Sequence, residues 1–366
     1  MAYITRGKLP TCDDSSITSI TTEKFKQMIE YSINSGSSFS NQIVSTYSLI
    51  NTIANYSYIG GVLDTNGFVH LVPYVANVGQ KINSYTGVVS TYSLVHTTTS
   101  GPGHMGGALA SNGDIHFIPT NAPVGQKVSP SGVVSTYSLV YTTSWAYYGG
   151  IMAPNGDIHF APRSASVGQK ISAAGVVSTY SLIYTGTSTT YLGGVLALNG
   201  DIHFIPNAAS VGQKINPAGV VSTYSLVYTN SSGIYGGGVL SPNGDIHFVP
   251  TSATVGQKID INGVVSTYSL VYTTTTAYLG GVLAPNGDIH FIPISASVGQ
   301  KISPSGVVST YSLVYTTANA YYSGVLTPLG DIHFISAFSG NIGQKITVKT
   351  NVPFSLALCC SPFSNR

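Results

Sequence analysis

Charge is scarce in this chain. Of 366 residues only 7% are charged, with Lys and Arg 14 against Asp and Glu 12 and a formal net charge of +2. The three arginines, Arg6, Arg163 and Arg366, are far apart, and phosphate binding needs clustered Lys and Arg, so no nucleic acid is expected as a partner. So little charge also gives little colloidal repulsion, which suits a chain that holds a partner or sits in a larger assembly. Cysteine is equally sparse: Cys12, Cys359 and Cys360 stand near the two ends, so no disulfide framework supports the interior, although spacing leaves a bridge from Cys12 to the tail open. Long apolar runs are missing. The nearest is Val352 to Cys360, well short of the ~20 residues a membrane helix needs, and no membrane insertion is expected. Met1 to Tyr31 shows no charged start, apolar stretch and small-residue cleavage site in succession, so export by a signal peptide is not expected.

What is present is repetition. The tyrosine of a Val-Ser-Thr-Tyr-Ser-Leu run falls at Tyr47, Tyr92, Tyr137, Tyr180, Tyr224, Tyr268 and Tyr311, in steps of 43 to 45 residues. The histidine of an Asp-Ile-His-Phe element keeps the same beat at His70, His116, His159, His203, His247, His290 and His333. So does the lysine of Val-Gly-Gln-Lys, at Lys81, Lys127, Lys170, Lys214, Lys258, Lys301 and Lys345. A fixed period implies one repeat domain over 41–349, flanked by an extension over 1–40 and a tail over 350–366.

The unit around Gly280 to Val314 reads as four strands. Gly280 to Ala284 is a short apolar run ended by Pro285-Asn286-Gly287, an Asn-Gly hairpin signal. Asp288 to Pro293 and Val298 to Ile302 follow, and Val307 to Val314 is rich in the β-branched and aromatic residues that suit a pleated surface. Four antiparallel strands repeated seven times make an all-β fold, a seven-bladed β-propeller whose innermost strands crowd the axis at their glycine pairs. The first Val-Ser-Thr-Tyr-Ser-Leu precedes any glycine pair, and the last repeat lacks one. A one-plus-three closure is therefore predicted, with the N-terminal strand Ile43 to Leu49 pairing with Ile342 to Val348 and covering the open edges.

The order Gly-Val-x-x-Pro-Asn-Gly, Asp-Ile-His-Phe, Gln-Lys-Ile-x-Pro-x-Gly resembles the strand grammar of the NHL and streptogramin-lyase-like propellers. Its wording is similar to repeat propellers encoded by large DNA viruses and phages. The resemblance runs over about Ile43 to Lys349 and implies the fold; such propellers serve as enzymes, lectins and scaffolds alike. Together with the missing export signal it implies a cytoplasmic or virion-associated protein.

Seven histidines invite a metal or catalytic reading, since Asp-x-His places acid and imidazole on one side of a strand. Repetition opposes it: a catalytic histidine is needed once. The favoured reading is a buried imidazole in each repeat, bonded to a hydroxyl of Ser-Thr-Tyr-Ser or to the neighbouring Asp. The first repeat has Phe68 at the Asp position, leaving His70 without that acid. The lysines are expected to pair with aspartates across strands or to stand as solvated stems, rather than to form a basic ring for an anionic ligand. Gly101-x-Gly103-x-x-Gly106 matches a dinucleotide pattern by letter only, with no helix following. No cofactor is expected.

The turns after the first and third strands barely vary between copies, whereas the loops after the second and fourth do, and these emerge on one side of the disc. That side is built from Tyr, Ser, Thr, Gly and Asn, a composition used in binding loops. Tyr58, His104, Tyr147, Tyr191, Tyr235, Tyr278 and Tyr321 precede the glycine pairs (Ser323-Gly324 in the last copy). They are expected either to ring the mouth of the channel or to cap the core between blades. Singular residues gather in the second and third repeats: His96, His104, Met105, the one tryptophan Trp145, and Arg163. A specific binding site is expected at His104, Trp145, Tyr147, Tyr148 and Arg163. At the ends, Thr21 as cap with Ile20, Phe25, Met28 and Ile29 reads as a short helix, and the apolar tail is expected to pack onto the propeller's outer edge, with docking to a partner subunit as the alternative.

The expected function is a non-enzymatic binding or structural protein, taking a protein partner on this face. The alternative is a lectin with equivalent glycan pockets between blades. An enzyme like streptogramin lyase, with His104 as base, is disfavoured because Thr98 to Met105 offers no carboxylate beside it.

Overall fold

The computed structural model describes residues 42–50, 56–97, 101–186, 188–230, 233–337 and 342–348. The short helix, the tail and all three cysteines lie outside them. Among the described residues there are 28 strands and no helix, arranged as seven four-stranded antiparallel sheets. In blade three the strands are Tyr147–Met152, Ile158–Pro162, Val167–Ile171 and Val177–Ser181, from the axis outward. The predicted unit in blade six shifts at both ends. Its inner strand starts at Tyr278, ahead of the glycine pair, and its outer strand is the shorter Val308–Ser312.

The ring closes as predicted. Gln42–Ser48 lies beside Ile342–Val348 as the outer strand of the seventh sheet. Two chain ends thus share one blade, and no cross-link is needed to hold it.

The inner strand is bent on purpose. Tyr147 lies opposite Pro162 but Gly150 lies opposite Phe160, one residue out of step. The extra residue is a β-bulge at Gly149, whose φ of 80° suits glycine. The same position is where blades touch: a Cβ on Gly106 would lie 2.8 Å from Gly149 Cα of the next blade. Only glycine permits that approach.

Two further words of the repeat build each blade. The glycine of Val-Gly-Gln-Lys lies under the tyrosine of Val-Ser-Thr-Tyr-Ser, as Gly168 does under Tyr180; a Cβ there would meet the ring at 2.2 Å. The pair lets an aromatic ring cover a bare stretch of strand. The following glutamine latches blade to blade. Gln169 is fully buried, and its Oε1 accepts from the backbone N–H groups of Val140 and Tyr141 of the preceding blade at 3.1 and 2.8 Å. The same bonds join Gln213 to Ile183 and Tyr184, and Gln300 to Val271 and Tyr272. Between blades the core is apolar: Ala108 and Ile118 of blade two pack on Tyr147, Ile158 and Phe160 of blade three. Each such large side chain taken from water contributes about 1.5–3 kcal/mol.

Candidate functional site

The repeated histidines are construction. In blades two to six, Nδ1 of His116, His159, His203, His247 and His290 meets the hydroxyl of Tyr137, Tyr180, Tyr224, Tyr268 and Tyr311 at 3.3 Å. Burial depresses these five and His333 to about 4, so they stay neutral near pH 7. The repeated lysines pair with aspartates as expected, Lys127 with Asp114 at 2.6 Å and Lys170 with Asp157 at 2.7 Å, for example.

Blade one corrects one expectation. His70 does have an acid: Asp64, in the turn before Phe68, reaches its Nε2 at 3.2 Å. Lys81, deprived of the usual aspartate, lies over the Phe68 ring at 4.2 Å. The blade keeps its histidine by moving the carboxylate four positions back. Among the described residues no group of three His, Cys, Asp or Glu side chains is placed to hold a metal ion.

The tyrosines ahead of the glycine pairs do not ring a channel mouth. Tyr58, Tyr147, Tyr191, Tyr235, Tyr278 and Tyr321 are fully buried, and His104 is 2% exposed. Tyr58, Tyr147, Tyr191, Tyr235 and Tyr278 donate from their hydroxyls to the carbonyl that opens their own third strand, as Tyr147 does to Val167 at 3.0 Å. Of the two placements open from sequence, the structure has the one between blades. The reason is strand alternation: a residue facing the inter-blade core sends its successor the other way.

The successors are where the copies differ. They are Ile59, Met105, Tyr148, Leu192, Gly236, Leu279 and Tyr322, no two neighbouring blades alike. A second individual set follows the second strand: Tyr74, Thr120, Arg163, Asn207, Thr251, Ile294 and Ala337. Their backbones form a belt from blade to blade, with Gly103 N donating to Tyr74 O, Thr190 N to Arg163 O and Ala277 N to Thr251 O at 2.6–2.7 Å. Side chains from blades one, two, three and seven meet in one cluster, Ile59, Met105 and Ala337 with Tyr56, Tyr74, Trp145, Tyr148 and Tyr322. Tyr148 and Tyr322 also pack with Leu192, Leu279 and Ile294 of blades four and six. Only the propeller axis lets opposite blades touch, so this cluster marks the axial end on the variable side.

Trp145 and Arg163 sit within it. The Arg163 guanidinium stacks on the Trp145 ring at 4.3 Å, a cation–π contact. Trp145 has φ 61°, and Tyr56, Thr276 and Asn319, two residues ahead of the inner-strand tyrosine like it, have φ 58–64°. For a bulky side chain this left-handed backbone is strained. It is held by a bond from Trp145 N to Asn121 Oδ1 at 2.6 Å, matched by Thr276 N to Ser252 Oγ at 3.1 Å. Tyr56 and Tyr322 meet edge to face at 5.8 Å. Burial raises the Tyr148 and Tyr322 hydroxyls, which therefore stay protonated, and lowers Arg163.

Of the residues singled out from sequence, Trp145, Tyr148 and Arg163 come together at the axial end. Tyr147 is turned into the core, and His104 packs on His96 and Phe117. Tyr56, Tyr74 and Tyr322 escaped notice. They stand in columns that vary between copies, and a column-by-column alignment of the seven units carries the signal. On the opposite, uniform side, a pocket of about 420 Å³ between blades five and six is lined by Ser241, Asp245, His247, Lys258, Ser303 and Pro304 among others.

No protein family and no curated protein matches the chain. Solved structures do match in fold. A streptogramin B lyase superimposes with a TM-score of 0.72 at 22% identity, over 85% of this chain and 99% of its own. A catalytically inactive histidine-to-alanine variant of virginiamycin B lyase from Staphylococcus aureus, with quinupristin, gives 0.72 at 18% identity, over 84% and 100%. Hydrazine synthase of Kuenenia stuttgartiensis gives 0.64 at 12% identity, over 82% and 98%. At these identities the likeness is one of fold.

Proposed function

We propose that this chain is a non-enzymatic binding protein, a propeller scaffold that takes its partner at the variable axial end around Trp145, Tyr148 and Arg163. One observation carries this reading. In blades two to six the repeat otherwise reuses the same residues for the same bonds, whereas here side chains of several types, from blades one, two, three, four, six and seven, meet at one axial end. Such rigid aromatic anchors among Ser, Thr and Asn loops suit recognition. Peptide and glycan arrays probed with the wild-type chain should return ligands lost in Trp145→Ala and Tyr148→Ala. Retention of every hit in both variants would sink the proposal.

The pocket between blades five and six favours a second reading, a multivalent lectin. Asp245, Lys258 and Ser303 offer donors and acceptors suited to sugar hydroxyls, at positions recurring around the ring. Glycan binding lost in Asp245→Asn and kept in Tyr148→Ala would favour it over the axial site.

The lyase fold by itself does not bring lyase chemistry. His96 and His104 are the histidines outside the repeat, and burial, followed by the neighbouring His96 charge, holds His104 at about 3. So weak a base, with Phe117 and His96 beside it and no carboxylate pair, is poorly suited to proton abstraction near pH 7. Incubation with quinupristin should leave it intact; turnover abolished by His104→Ala would overturn this point.

A further inference from the structure

We infer that the axial end binds an oxyanion, a carboxylate or phosphate group of its ligand, on the Arg163 guanidinium. The inference rests on the axial binding site proposed above and names the chemistry it takes.

The lysines of the described propeller are all accounted for. Lys127, Lys170, Lys214, Lys258, Lys301 and Lys345 each have an aspartate within 2.7 Å, and Lys81 has the face of Phe68. Among the described residues Arg163 makes no ion pair, and its Nε and Nη1 are buried without a hydrogen-bond partner there. Leaving charged donors buried and unpaired is costly. Nor does the blade need the charge for its own construction. The Arg163 backbone makes the belt bonds, N to Ala146 O at 2.8 Å and O from Thr190 N at 2.6 Å, and blades two and six carry Thr120 and Ile294 at the same place.

The surroundings hold the cation without neutralising it. The contact with Trp145 places the guanidinium over the indole ring at 4.3 Å without using up its N–H donors. The titratable groups facing it are the hydroxyls of Tyr74 and Tyr148, which interact with it electrostatically; neither brings a negative charge near pH 7. The residue as a whole keeps part of its surface while Nε and Nη1 lie enclosed, so an anion meets the exposed part of the side chain first and takes the enclosed donors as the guanidinium turns towards it. A planar carboxylate or a phosphate would spend its unpaired donors in charge-assisted bonds.

Trp145 is the one tryptophan of the whole chain, so its fluorescence reports this site alone. The wild-type chain should be titrated with inorganic phosphate, acetate and benzoate at ionic strength held constant with sodium chloride, following Trp145 emission and thermal unfolding. A saturable emission change and a rise in Tm are expected with at least one of them. A response to phosphate alone assigns a phosphoryl ligand, and one to the carboxylates alone an acidic ligand. Arg163→Gln should weaken the response about tenfold or more. Arg163→Ile, the residue blade six uses, should fold and also lose it, which separates loss of binding from loss of structure. Wild-type curves that match the chloride control for all three anions, or an undiminished response in Arg163→Gln, would overturn the inference. If array ligands are lost in Tyr148→Ala but kept in Arg163→Gln, the oxyanion fails and the axial site stands. If they are kept in both, the site itself fails.

Discussion

The bodies of the blades and the axial end are built from one repeat under opposite rules. In the bodies of blades two to six, His, Tyr, Asp, Lys and Gln recur with the same bonds to within about 0.1–0.2 Å, as in the Lys–Asp pairs at 2.6–2.7 Å. At the axial end, equivalent positions hold Tyr148, Leu192 and Gly236 in three successive blades. In an up-and-down blade, residues of non-neighbouring blades meet at the axis, and here the residues that meet there differ from blade to blade. The repeat stays uniform across most inter-blade contacts and departs from uniformity at the centre. The centre is where a single asymmetric site can arise in an otherwise sevenfold object.

The largest effect that can break this contrast is acid. A histidine held near 4 when folded and near 6.5 when unfolded binds its proton first in the unfolded chain, so stability falls as the pH drops from 6.5 towards 4. Each such group withdraws roughly 3 kcal/mol over that window, and six of them act together, so cooperative unfolding is expected before pH 4. Urea midpoints measured between pH 7.5 and 4.5 should decline steeply. A flat profile would mean that the imidazoles are not buried neutral.

Next in size is the latch. Gln213→Leu leaves the N–H groups of Ile183 and Tyr184 without their partner at a part-buried place, costing about 1–3 kcal/mol. Denaturant unfolding should show the same penalty for Gln169→Leu and Gln300→Leu, because the bodies are equivalent; unequal penalties would break the uniformity. Gly212→Ala is expected to cost about 1–3 kcal/mol, since its Cβ would lie 2.1 Å from the Tyr224 ring. The smallest effect has the opposite sign. Thr276 is β-branched with φ 58°, and Thr276→Gly should stabilise by about 0.5–1 kcal/mol, read as a higher Tm.

Most of the fold was legible because a fixed period with Asn-Gly turns and β-branched runs admits few architectures. The closure could be read from a missing Val-Ser-Thr-Tyr-Ser-Leu at one end and a spare one at the other. Of the two partners the sequence leaves open to the histidine, a hydroxyl of Ser-Thr-Tyr-Ser or the neighbouring Asp, blades two to six take the tyrosine hydroxyl. Other features depended on direction in space. Which of Tyr147 and Tyr148 faces the core follows from a bulge at Gly149 that no composition reveals. Asp64 could substitute for the missing acid of blade one because a turn brings it back to His70. Nothing in the sequence marks Gln169 as more than a polar letter of Val-Gly-Gln-Lys, because its bonds to the preceding blade exist only once blades stand side by side. Trp145 and Arg163 were singled out for being unique, yet their stacking, and the approach of Tyr74 and Tyr322 from other blades, follow only from the closed ring.

The central claim is that the repeat builds and its exceptions bind. It is tested most directly by giving blade three the residues of blade six, Trp145→Thr, Tyr148→Leu and Arg163→Ile together, and measuring thermal unfolding alongside calorimetric binding of the array ligands. The account predicts a chain that unfolds within a few degrees of the wild type and binds none of the ligands assigned to the axial end. Unchanged affinity in a folded triple variant would contradict it.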